Sequence, residues 1–255
     1  MNAEMKQTIE HTIAECLRDK LHTYKPTGNE MPFHARLLGK DRLALYSFIH
    51  SINTRFGTSI FEPVAIALSQ TNFKDAKRQV VVGEEIYDAT EAEINRLINE
   101  LRAGSRNPDK THETEQLRKT LQGQKSKKRM TVADLYLVDK EGAVWIFDMK
   151  SPKPNLGEIV GFKRTLLEWL GASLLIKKDA TVHTLIAMPY NPFAPKPYDH
   201  WTMKGMLDTS NEVLVAEKFW DFLGGEGCYE DLLGCFERVG IAMREEIDAR
   251  FRMFL

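Results

Sequence analysis

Long apolar runs are missing from this 255-residue chain. The best of them, Ile60 to Leu68, is broken by Glu62 and Pro63 and falls well short of the roughly 20 residues a bilayer span needs. The first residues, MNAEMKQTIEHTIAEC, lack the basic start and apolar core of a secretory signal, so a cytoplasmic location is expected. Cysteine is scarce. Cys16, Cys228 and Cys235 cannot all pair with one another, and neither they nor any pair of histidines has zinc-ligand spacing, so reduced thiols are expected. Repeats and low-complexity tracts are absent. Net charge is also nearly absent, at −1, and the overall balance therefore neither requires nor excludes a polyanionic partner.

The distribution of charge is informative where the total is not. Six basic residues and no acidic one lie between Gln116 and Met130: Arg118, Lys119, Lys125, Lys127, Lys128 and Arg129. Ten acidic residues against Lys218, Arg238 and Arg244 lie between Glu212 and Asp248. A concentrated basic run can neutralise phosphates in a chain that is neutral overall, although such runs are often only solvated loops.

Apolar periodicity predicts helices over Met5–Lys20 and Asp41–Phe56, with Gly57 as the stop, and a polar helix is expected over about Thr90–Arg102. Ser59 reads as the N-cap of a helix running to about Gln70. Strand patterns occupy Gln79–Val82, Val132–Asp139, Ala143–Lys150, Thr181–Met188 and Glu212–Val215. A long helix starts near Leu156, and helices over Ala216–Leu223 and from Tyr229 towards Phe251 close the chain. Strands in the middle with helices on both sides predict an α/β fold: a central mixed β-sheet flanked by helices. The whole chain, 1–255, reads as one domain with a mobile basic insertion at about 103–130, rich in Gly, Asn, Lys, Thr and Gln.

The stretch VADLYLVDKEGAVWIFDMKSPKPN, residues 132–155, carries the chemistry. Two runs of β-formers flank Lys140-Glu141-Gly142, a common hairpin connection. Pairing centred on Glu141 sets Asp134 opposite Asp148, and strand alternation puts Lys150 on the same face as Asp148. Facing carboxylates repel, and an ion between them would remove the repulsion. Magnesium, an oxygen-seeking cation that uses one or two carboxylates plus water and phosphate, is the expected cofactor. Lys150 adds a fixed positive charge able to orient an attacking water or to stabilise charge growing on a phosphate. These ingredients suit phosphodiester hydrolysis.

At these residues the chain resembles the PD-(D/E)XK nucleases, with Asp134 as the metal-binding acid of one strand and Asp148 and Lys150 as the acid-x-lysine pair of the next. It departs from the pattern in having Ala133 before Asp134 where the family has proline. The segments MPFHARLLGKDRLALYSFIHSINTRFGTSIFEPVA, DMKSPKPN and EKFWDFLGG, spread over residues 31–225, resemble type II restriction endonucleases of the TdeIII type. That resemblance implies a restriction-endonuclease-like fold and a homodimer that cuts double-stranded DNA at a short palindromic site, for which GGNCC is suggested. It also implies a cognate DNA methyltransferase in the same system but not in complex. A repair or recombination nuclease of the same fold and a DNA-binding protein without cleavage are the alternatives.

Further residues are expected around this core. Glu62 has two readings, a supporting active-site acid or the acidic partner of a Ser59 capping box. Lys125, Lys127, Lys128 and Arg129 are the expected non-specific DNA contacts. Lys153, Lys163 and Arg164 follow the acid-x-lysine pair closely enough to touch the scissile strand, and the helix starting near Leu156 could offer amides to phosphate. Glu168 reads as an exposed helical residue. The Pro-rich excursion Pro189–Pro197 reads as a packed loop that could carry base-reading residues.

Overall fold

The structure, a computed structural model, describes residues 1–24 and 31–252. In chain order the helices before the first strand are α1 (Ala3–Thr23), α2 (Pro32–Leu38), α3 (Lys40–Arg55) and α4 (Glu62–Ser69). There follow β1 (Asp75–Val81), β2 (Glu85–Tyr87), α5 (Asp88–Arg102), α6 (Lys110–Arg118), β3 (Lys125–Lys127), β4 (Val132–Val138), β5 (Val144–Met149) and α7 (Leu156–Ile176). The remainder is β6 (Val182–Met188), α8 (Trp201–Lys204), β7 (Val213–Val215), α9 (Glu217–Gly224), α10 (Cys228–Ala242) and α11 (Arg244–Arg252). Two compact units result, one formed by residues 1–67 with 226–255, the other by residues 68–225.

The first unit is helical. Ile9, Ile13 and Leu21 bury one stripe of α1, and Leu232, Cys235 and Val239 bury one stripe of α10. The Asp231 carboxylate accepts from the N-terminal ammonium and from Lys6, each at 2.6 Å, holding the N-terminal ends of these two helices side by side. Gly57 does not stop the third helix, and Ser59 does not start a new one. Residues Phe56–Phe61 form a π-helical segment that carries α3 into α4, so the polypeptide absorbs the glycine by widening the turn rather than ending it.

The second unit is built on a five-stranded mixed sheet in the order β1-β4-β5-β6-β7. β1, β4 and β5 are antiparallel neighbours, whereas β5, β6 and β7 run parallel and end at one edge. A small second sheet pairs β2 with β3. One face of the large sheet presents Ile146, Ile186, Met188 and Val213 to a core completed by Ile94 and Leu97 of α5 and Leu166, Trp169 and Leu170 of α7. Each such side chain contributes about 1.5–3 kcal/mol on burial. The other face is aromatic. Phe147 meets Phe219 at 5.7 Å between ring centroids, and Trp145 lies 4.8 Å from Phe222, both partners belonging to α9. The segment EKFWDFLGG is thus a packing element.

The stretch 103–130 is built into this unit. Lys110, Glu113 and Leu117 bury one side of α6, and β3 extends the small sheet, so apolar and ionic packing hold a segment whose polar composition reads as a loose insertion.

Candidate active site

The hairpin between β4 and β5 pairs Leu135 with Phe147, Tyr136 with Ile146 and Val138 with Val144, the register expected from the sequence. Its turn is held by Asp139, whose side chain accepts from the Ala143 amide at 2.8 Å and from the Trp145 indole at 2.9 Å. Gly142 takes a φ of +90°, which a side chain would resist. A one-residue slip would turn Ile146 outward, so the buried face specifies the register.

That register brings Asp134 and Asp148 together near the end of β5. The Met149 amide donates to Asp134 Oδ2 at 2.7 Å, fixing the carboxylate on the neighbouring strand. Asp148 is 3% exposed, and its Oδ1 lies 2.5 Å from Lys150 Nζ. Burial, helped by the charge of Asp134, pushes the Asp148 carboxyl up to about 6 against the pull of the Lys150 ammonium. Lys150 Nζ sits 5.4 Å from the centroid of Phe162 of α7, on an apolar floor that leaves its charge directed at Asp148.

The neighbouring Asp134 charge makes ionisation of Asp148 costlier, and a divalent cation between the two carboxylates would relieve that cost. Among the described residues no group of three or more His, Cys, Asp or Glu is placed to cage a metal. The pair of carboxylates could hold a divalent cation whose other ligands are water or phosphate oxygen.

Gln79 escapes sequence reasoning. It lies in β1 opposite Asp134, donates to Asp134 Oδ1 at 3.3 Å, and takes a φ of +55°. A glutamine in a left-handed conformation within a strand is a local strain that tends to accompany functional sites. Only the fold places it here, since no spacing rule links residues 79 and 134.

The other expected residues separate. Lys163 is fully buried, with Nζ 2.5 Å from Glu113 and 2.7 Å from Glu212, and cannot reach phosphate. A lysine on a helix is normally solvated, but the position of this one on α7 faces the core. Lys128 is bound to Glu91 and Glu168, and Arg164 lies 3.6 Å from Glu168, which is itself buried rather than exposed. Lys125, Lys127 and Arg129 are exposed on and beside β3, Lys125 resting over the Tyr87 ring. Lys153 is exposed, its Nζ 5.4 Å from the Phe193 ring centroid. The start of α7 is closed by a capping box, in which Asn155 accepts from the Glu158 amide and Glu158 accepts from the Asn155 amide, so a carboxylate already occupies the place a phosphate would take. Glu62 is buried at the start of α4, in the first unit.

Comparison with known proteins places these residues in context. Residues 1–240 match the family model described as type II restriction endonuclease, HinfI, where the sequence landmarks resembled the TdeIII type. The type II restriction enzyme HgiEI of Herpetosiphon aurantiacus is 29% identical over 97% of this chain and 93% of its own length. HgiCII of the same organism, also a type II restriction enzyme, is 28% identical over 86% of this chain and 81% of its own. The type II restriction enzyme MjaII of Methanocaldococcus jannaschii is 30% identical over 87% of this chain and 67% of its own.

Proposed function

This chain belongs to the HinfI family of type II restriction endonucleases, and from that premise we propose that it cuts both strands of a short palindromic DNA site with a PD-(D/E)XK-type centre. The observation that carries the reading is the hairpin end where Asp134, Asp148 and Lys150 converge. Asp134 and Asp148 would hold Mg2+, which supplies charge neutralisation at the scissile phosphate. The Met149 amide keeps Asp134 oriented, burial keeps Asp148 dry, and Lys150 holds its ammonium where it can orient a water for in-line attack and stabilise the phosphate. GGNCC is the site to test first. Digestion of plasmid DNA with and without magnesium, followed by sequencing of the ends, reads the requirement and the site together; a smear without discrete fragments would favour a nuclease that acts on DNA structure.

A two-fold symmetric target is met most simply by a two-fold symmetric protein, which sets one Asp148 against each strand. The helical unit exposes Phe33 and Leu37 of α2, each 83% accessible, with Tyr46 and Ile49 of α3 also exposed. Apolar side chains grouped this way often mark an association surface. The expected solution mass is twice that of the chain, and Phe33→Asp with Leu37→Asp should return a monomer that no longer cuts both strands. A wild-type protein that stays monomeric both free and on DNA would overturn the dimer.

Non-specific affinity is assigned to Lys125, Lys127 and Arg129, with Lys128 kept out because its charge is already matched. Replacing these three by alanine should lower the slope of log K against log salt by roughly 0.9 for each phosphate no longer neutralised, equally on specific and random duplexes. An unchanged slope would make the run a solvated ribbon.

A further inference from the structure

The parallel strands β5, β6 and β7 end together, and their register aligns Asp148 with Ile186 and Ile186 with Val213. Val213 therefore lies two strand spacings, about 10 Å, from the catalytic acid along the same sheet edge. Ligands of open sheets with parallel strands gather beyond such carboxyl ends. Beside β7 is a cleft of about 610 Å³, walled on one side by the proline-rich loop and on the other by β7 and the start of α9. Exposed Lys196, Asp199, Lys204, Glu217 and Lys218 line it.

The charge pattern separates two uses. A clamp for phosphate alone would exclude carboxylates, yet Asp199 and Glu217 stand among the three lysines. Major-groove base edges require both signs. Guanine offers acceptors suited to lysine, and cytosine offers an amino donor suited to aspartate or glutamate. Asp199 and Lys204, 2.9 Å apart and each 63% accessible, form the kind of exposed pair that exchanges partners readily.

The cleft is also tied to the chemistry. Tyr198 lines it and donates its hydroxyl to the carbonyl of Pro152 at 2.8 Å, two residues beyond Lys150. Lys153 sits over Phe193 of the same loop, whose ring lies 5.8 Å from that of Tyr198. The proline-rich loop and the residue after it thus contact the segment that follows Lys150.

We propose that this cleft reads base edges of the target duplex through Lys196, Glu217 and Lys218, and that Tyr198 is a positioning residue that couples correct reading to the placement of Lys150. The inference rests on the restriction-endonuclease reading of the site. The test uses the full chain, its cognate duplex as identified by sequencing of cut ends, duplexes with one altered base pair, and a random duplex. Glu217→Gln and Lys218→Ala, both at exposed positions, should lower the preference for cognate over single-base variants by roughly ten- to a hundredfold. Tyr198→Phe should slow single-turnover cleavage of bound cognate duplex by about fivefold or more while its Kd stays within about twofold, the size expected for one missing hydrogen bond. Equal weakening on all three kinds of duplex, or no change in preference with either variant, would overturn base reading. Tyr198→Phe cleaving like the wild type would overturn the coupling. A wild-type chain that leaves no discrete fragments would instead overturn the restriction reading itself.

Discussion

Asp148→Ala should leave magnesium-dependent cleavage of plasmid DNA at least about three orders of magnitude below the wild type, with the circular dichroism spectrum preserved. Removing a buried carboxyl held up at about 6 and pressed against Asp134 relieves an unfavourable contact, so the hairpin loses little stability. The same reasoning applies to Asp134→Ala, which gives up the 2.7 Å hydrogen bond from the Met149 amide and is expected to be somewhat the less stable of the two. Binding to duplex without magnesium should hold or strengthen in both acid variants, since a negative charge facing phosphate has gone. Lys150→Ala should stop cleavage too but weaken attraction to the scissile phosphate. Lys150→Arg should not rescue it, because a planar guanidinium beside Asp148 and over Phe162 carries its charge elsewhere. Near-normal cleavage by folded Asp148→Ala or Lys150→Ala would dismiss the site. Glu62→Gln belongs in the same assay: cleavage abolished at an unchanged thermal midpoint makes Glu62 an active-site acid, and a fall in both makes it a structural one.

Lys163→Met should destabilise the protein by about 3–5 kcal/mol, measured by chemical denaturation. Nζ is the shared partner of Glu113 and Glu212, and Lys110 reaches Glu212 at 3.3 Å and Thr184 at 2.5 Å, so two lysines balance two glutamates inside the core. Burial pushes the Glu113 carboxyl up and the Lys110 ammonium down, which marks how little water remains to support an unmatched charge. Methionine keeps the volume and removes the charge, leaving two carboxylates with Lys110 alone. Adding Glu113→Gln should recover part of the stability, because the pair is coupled. The salt slope of DNA binding should stay at the wild-type value, whereas a lysine touching phosphate would lower it by about 0.9 on removal. A fall in slope with no loss of stability would return Lys163 to the DNA surface.

The β4–β5 hairpin was legible because its information is local. Alternation along Val144–Lys150 and a short turn containing Gly142 are enough to set which residues face each other, and the structure pairs them in that register. The longer helices were legible for the same reason, with α1 and α3 lying where apolar periodicity puts them and α5 and α7 close to where they were expected. Short elements were not. β2 and β3, of three residues each, have no pattern long enough to distinguish them from loop and exist only because they pair with each other. Gly57 misled because a glycine signals a helix end only when the next turn does not widen to accept it.

The sequence by itself determined the mixed α/β class, the hairpin and the approach of Asp134, Asp148 and Lys150, because strand alternation and turn length act over a few residues. It could not decide the fate of individual charges. No local pattern separates Lys163 from Lys125, yet one is fully buried between two glutamates and the other rests exposed over Tyr87. Nor could it bring Gln79 to Asp134 or Tyr198 to Pro152, residues 55 and 46 positions apart. Those pairings depend on which strands become neighbours and which face of a helix meets the sheet. Such choices are made by the packing of the whole unit, where the cost of an unmatched buried charge or an open strand edge is settled between segments that no local pattern connects.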